Sequence, residues 1–108
     1  MDFKFATLDS AIEADWPVTI NVPQDGGKVS AQKLMVRFRL VDEEELTKNG
    51  DGLEGSKATL RQVVVGFGKS VTEPWSAELF EKMLAQPYVR LGLNNAYRDF
   101  AVGIAAKN

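Results

Sequence analysis

The stretch Pro74–Asn108, PWSAELFEKMLAQPYVRLGLNNAYRDFAVGIAAKN, decides how the rest of the chain must fold. Ser76 is suited to cap a helix through its side-chain oxygen, with Trp75 before it and Phe80 after it at the two positions of a hydrophobic staple. Leu79, Phe80, Met83 and Leu84 then recur at helical spacing, which predicts a helix over 77–85. Proline excludes helical geometry from the residue before it, so the helix must end by Gln86-Pro87. Pro87 is equally well placed as the first residue of a longer helix, predicted over 87–105. On that helix Val89, Leu93, Ala96, Tyr97, Phe100 and Ile104 form one apolar stripe, the floor against which the upstream residues must pack.

The same helix carries a weaker line, Tyr88, Leu91, Asn95 and Val102, on another side. Two readings are open. Both lines are buried within one small domain, or the second is a surface for a partner.

Upstream, Trp16, Val18, Ile20 and Val22 alternate with Thr19 and Asn21, predicting a strand over 16–22 in which Pro17 suits an edge or a strand start. The turn residues Pro23–Lys28 follow, with Gly26 and Gly27 able to take positive φ. A second strand is predicted over 29–41, with Leu34, Val36, Phe38 and Leu40 on one face and Lys33, Arg37 and Arg39 on the other. The pair reads as an antiparallel hairpin whose apolar face the C-terminal helices cover. Residues 1–15 read as an arm, with Phe3 and Phe5 alternating across Lys4 as in a short strand.

Between hairpin and floor, Asp42 followed by Glu45 resembles a capping box, predicting a short helix over 42–48. The glycine-rich run Asn49–Gly55 reads as a loop. Its N-G-D-G fragment is not a calcium loop, because Thr47 and Ala58 occupy the places of the first carboxylate and the closing glutamate. Ser56 is the expected cap of a helix over 56–67 carrying Leu60, Val63, Val64 and Phe67, although Val63–Val65 favours strand locally. Gly66 and Gly68 either end that helix or admit a close backbone approach. The fold class is therefore α+β, an N-terminal hairpin against three to four helices, in a single domain over 1–108.

Composition narrows the function. The 108 residues include no histidine and no cysteine, which excludes Cys-His and Ser-His-Asp chemistry within the chain and leaves zinc without its usual ligands. Glu43, Glu44 and Glu45 point about 100° apart on a helix and do not form an acid and base pair. No catalytic, cofactor-binding or metal-binding residue is expected. No apolar run approaches a membrane span, no basic patch suits nucleic acid, and the opening MDFKFATLDS lacks the apolar centre of a secretory signal. A cytoplasmic protein is expected. Residues 1–54 carry 6 basic and 11 acidic side chains, and residues 55–108 carry 7 and 4. This asymmetry orients head-to-tail contacts between copies, or is only the clustering of solvated side chains.

Three motifs together resemble a known family. They are W-P-V-T-I-N-V-P with a D-G-G-K turn (Trp16 to Lys28), V-V-V-G-F (Val63 to Phe67), and S-x-E followed, after seven intervening residues, by Q-P-Y-V-R-x-x-L-x-x-A-Y (Ser76 to Tyr97). The chain is similar in these to the small tail assembly chaperones of long-tailed bacteriophages and prophages. It departs from their pattern in a shorter segment after Phe67 and in having Phe67 where tryptophan is usual. The resemblance implies a non-catalytic oligomer that coats the tape measure protein, recruits tail tube protein as the tube polymerises, and is absent from the finished virion. It also implies that this is the short form of a pair made by frameshifting. The competing expectation is a structural tail or head-tail joining component of the virion. Phe67, Trp75, Tyr88, Arg90, Leu91 and Val102 are the expected partner-binding residues, with Arg90 in a buried or interfacial ion pair.

Overall fold

The computed structural model describes residues 1–106. Two twelve-residue strands, β1 (Glu13–Gln24) and β2 (Lys28–Arg39), form the antiparallel hairpin, and a short β3 (Val64–Phe67) adds to β2 in the sheet order β1-β2-β3. The helices are α1 (Glu43–Thr47), α2 (Gly52–Val63), α3 (Ala77–Leu84) and α4 (Pro87–Val102). This is the expected α+β arrangement, with differences at the ends of elements and one added strand.

Alternation sets the faces of the hairpin. Val18, Ile20, Val36 and Phe38 are buried on one face with Trp16, Val22 and Leu34 packed beside them, while Thr19, Asn21, Lys33 and Arg39 are exposed. Asp25, Gly26 and Gly27 close the hairpin, and both glycines take positive φ, 76° and 75°. Leu60, Val63, Leu84, Val89, Leu93 and Ala96 supply the helical half of one contiguous core. Phe38 lies at its centre with Tyr97 and Phe100 at ring distances of 5.6 and 5.8 Å. Each such fully buried side chain contributes about 1.5–3 kcal/mol.

The hairpin edge is closed by a local device. Leu40 donates its N–H to the Ile12 carbonyl at 2.8 Å, so in the continuing register the even-numbered residues of β1 bond to β2. The odd-numbered residues therefore turn their N–H and C=O outward. Pro17 and Pro23 occupy two of these outward positions and remove their donors. Between them, at Thr19, α4 overhangs the edge. A Cβ at Gly92 would stand 2.6 Å from the Thr19 carbonyl oxygen and 2.7 Å from Ile20 Cδ1, so this crossing requires glycine.

Several expectations are corrected. The residues 1–15 are not simply an arm, because β1 already begins at Glu13, and Phe3 and Phe5 are not in a strand: Phe5–Asp9 is a 3-10 turn. The second strand ends at Arg39, which leaves Leu40 outside it and exposed. Asp42 precedes α1 without a side-chain capping bond. The helix expected over 56–67 instead starts at Gly52 and stops at Val63. Ser56 therefore lies inside α2, where its Oγ accepts from Asn94 of α4. The sequence Asn49–Gly55 reads as a breaker, but Gly55 lets the first turn of α2 rest on the carbonyl of Gly50. Val64–Phe67 becomes strand because β2 offers it a partner, with a bulge opposite Arg37/Phe38. Of the two glycines there, Gly68 makes the close approach: its N–H donates to Met35 at 2.8 Å, and a Cβ on it would meet Met35 Cβ at 2.6 Å. Finally, α4 ends at Val102 rather than 105. Gly103 at φ 78° and the Ile104 N–H donating to Asp99 at 2.8 Å form a Schellman end, which leaves Ile104 exposed and off the stripe.

Candidate protein-interaction surfaces

The six residues expected at a partner site fall into two groups. The first is built where α3 begins. Ser76 accepts the Leu79 N–H at 3.0 Å, which caps α3 and fixes Trp75 over its first turn. Trp75 then lies 4.8 Å from Phe80, as a hydrophobic staple requires, and meets Phe67 at the end of β3 edge-on at 5.0 Å. Both Phe67 and Trp75 are half-buried, so this aromatic cluster mainly fastens the sheet edge to α3.

Arg90 belongs to the same joint, and within the chain it takes a carbonyl partner where a buried ion pair is one of the two expectations. Among the described residues it forms no ion pair. Its Nη1 donates to the Leu84 carbonyl at 2.6 Å, satisfying a terminal carbonyl of α3 where Pro87 starts the next helix. Tyr88, half-buried, packs against the core from the first turn of α4.

The second group is exposed. At 100° per residue Leu91, Asn95 and Val102 fall within about 40° of one another on α4, and Leu91 and Val102 are about 16 Å apart along its axis. Leu91 is 61% exposed and Val102 62%. The buried stripe of Val89, Leu93 and Ala96 is on the opposite side, so this line faces away from the core. Through Asn95 the line meets a groove of about 510 Å³ between α4 and the edge of β1. Trp16, Pro17, Gly92 and Ala96 give that groove apolar walls, and Thr19, Asn95 and Asp99 place polar groups along it. Trp16 is held by an edge-on contact with Phe100 at 5.4 Å.

Charge bonds stiffen the frame behind these surfaces. Arg37 donates to Glu13 at 2.8 Å and to Asp15 at 3.0 Å across the hairpin's open face. The Arg37 guanidinium, followed by the Lys69 N–H, holds the Asp15 carboxyl below the usual carboxylate value. Arg61 of α2 makes a bidentate pair with Glu81 of α3 at 2.9 and 2.7 Å, which lowers the Glu81 carboxyl likewise.

Sequence reading missed Gly92 and the Tyr97 hydroxyl, which receives the Val41 N–H at 3.2 Å. A glycine inside an amphipathic helix, at the margin of its apolar stripe, was the available signal for Gly92. No helix among the described residues is long and apolar enough to cross a membrane. No protein-family model matches the chain, and neither does any curated protein or solved structure.

Proposed function

We propose that this chain is a non-catalytic bacteriophage or prophage tail assembly chaperone, working in the bacterial cytoplasm and absent from the mature virion. It binds the tape measure protein as several copies and recruits tail tube protein to it. The observation that carries this reading is the exposed Leu91–Val102 line beside the α4/β1 groove. A rigid helix presenting two apolar side chains about three turns apart with Asn95 between them, and a groove alongside, suits docking of another amphipathic helix. The three sequence motifs that resemble tail assembly chaperones support the identity of the partner. Phe67, Trp75 and Arg90 act from behind by fixing the joint between β3, α3 and α4, while Leu91 and Val102 make the contact.

Co-expression with the tape measure protein encoded beside the gene tests this. The expected result is that the partner becomes soluble and co-purifies with many copies of this chain. Leu91→Asp and Val102→Asp are expected to abolish co-purification while leaving the circular dichroism and unfolding temperature of the free protein unchanged, since both side chains are already in water. An insoluble partner, together with recovery of this chain in purified particles, would overturn the reading in favour of a structural virion component.

A further inference from the structure

The N-terminal segment carries apolar surface that nothing in its own chain covers. Every residue from Met1 to Glu13 is exposed, and Phe5 and Leu8 are 77% and 73% exposed. Three residues apart in the Phe5–Asp9 3-10 turn, Phe5 and Leu8 lie on one side. Phe3 adds its ring to Phe5 edge-on at 5.4 Å. The result is a preformed apolar knob with the cation Lys4 between its two phenylalanines.

At the root of this arm is a groove of about 420 Å³. Ile12, Leu40 and Val41 give it an apolar floor, and Asp42 and Glu45 form an acidic rim, beside Glu13, which is paired with Arg37, and Arg39, whose Nε donates to the Gln62 carbonyl. The floor is fixed before anything binds: Leu40 is tied to Ile12 at 2.8 Å and Val41 to the Tyr97 hydroxyl at 3.2 Å. Neither rim carboxylate has an ion-pair partner among the described residues. The arm stays out of its own groove. Ser10, which joins the turn to the groove wall, is extended (φ −90°, ψ 137°), and Phe5 and Leu8 remain in water.

We propose that the occupant of this groove is the arm of a second copy of the chain, exchanged reciprocally across a twofold axis near Ile12. Arm and groove share a root, so one such axis places each arm beside the other copy's groove and closes the assembly at two. Phe5 and Leu8 cover Ile12, Leu40 and Val41, and Lys4 meets Asp42 and Glu45. The Lys4 contacts also offset the repulsion between two acidic rims brought together. This contact does not depend on the chaperone reading, because it concerns the free protein.

Sedimentation of the purified full chain tests it. The wild type is expected at twice its 11.9 kDa, and Phe5→Asp is expected to weaken self-association by more than about tenfold. Lys4→Glu is expected to weaken it as well and to be rescued by Glu45→Lys, a readout that a folding defect in Phe5→Asp would not mimic. Because the chain has no cysteine, Phe5→Cys with Leu40→Cys reports the pairing directly. A disulfide-linked dimer on a non-reducing gel is expected. A monomeric wild type, a dimer indifferent to Phe5→Asp, or a disulfide closed only within one chain would overturn the proposal.

Discussion

At the scale of single residues, Gly92 shows how one missing Cβ sets the distance between two elements. Alanine is the better helix former by about 1 kcal/mol, so replacing a mid-helix glycine ordinarily stabilises. Here the added Cβ would meet a backbone carbonyl at 2.6 Å and a packed isoleucine at 2.7 Å, and the backbone oxygen has no rotamer by which to escape. Overpacking of this kind costs about 1–3 kcal/mol, which outweighs the propensity gain. Gly92→Ala is therefore expected to lower the thermal midpoint by several degrees, since about 1 kcal/mol corresponds to roughly 4–8 °C in a domain of this size. A raised midpoint in differential scanning calorimetry would mean that α4 does not bear on Thr19. Arg90 teaches a related lesson. Its charge suggested an acidic partner, whereas the group that needed a donor was the Leu84 carbonyl at the end of α3.

At the scale of elements, local signals were legible where one residue type satisfies one local need. Ser76, Trp75, Phe80 and Pro87 announced the starts of α3 and α4, and the alternation from Trp16 to Phe38 announced the hairpin faces. The failures came where a distant partner decides. Leu60, Val63 and Val64 fit a helical stripe while Val63–Val65 favours strand locally, and the neighbouring β2 decides for strand at Val64–Phe67. Gly55 looks like loop until the Gly50 carbonyl beneath it is known. The aromatic cluster and the exposed Leu91–Val102 line could be named from sequence, but which of them faces water could not. Pro17 was legible as an edge residue, and the register explains its consequence: with Pro23 it strips donors from the open side of β1. Pro17→Thr combined with Pro23→Thr returns two outward N–H groups to a twelve-residue edge. Faster growth of light scattering at high protein concentration is expected, with the secondary structure unchanged at low concentration. Equal scattering from variant and wild type would assign edge protection to the α4 overhang alone.

At the scale of the molecule, the body measures 50 × 32 × 28 Å with a radius of gyration of 14.9 Å, against about 13 Å for a compact chain of about 100 residues. An elongated body with one modest core depends more than usual on cross-links between elements. Two of these are charged: Arg37 with Glu13 and Asp15 across the hairpin, and Arg61 with Glu81 between α2 and α3. Asp15 and Glu81 both have carboxyl values lowered in the folded state, chiefly by hydrogen bonds from Arg37 and Arg61 respectively. A group lowered on folding contributes fully above its unfolded value, about 3.9 for aspartate and about 4.3 for glutamate, and loses that contribution as pH falls through the folded value. The chain also lacks histidine, the side chain that ordinarily titrates between pH 5 and 8. The thermal midpoint should therefore be nearly flat from pH 6 to 8 and fall below about pH 4.3. Because these pairs are open to solvent, added salt should reduce their contribution. Asp15→Asn with Glu81→Gln should lower the midpoint at pH 7 and flatten its decline from pH 4 downward. If the double variant retained the full acid decline, the acid sensitivity would have to arise from other carboxylates, and these two links would not be what joins β1 to β2 and α2 to α3 against acid.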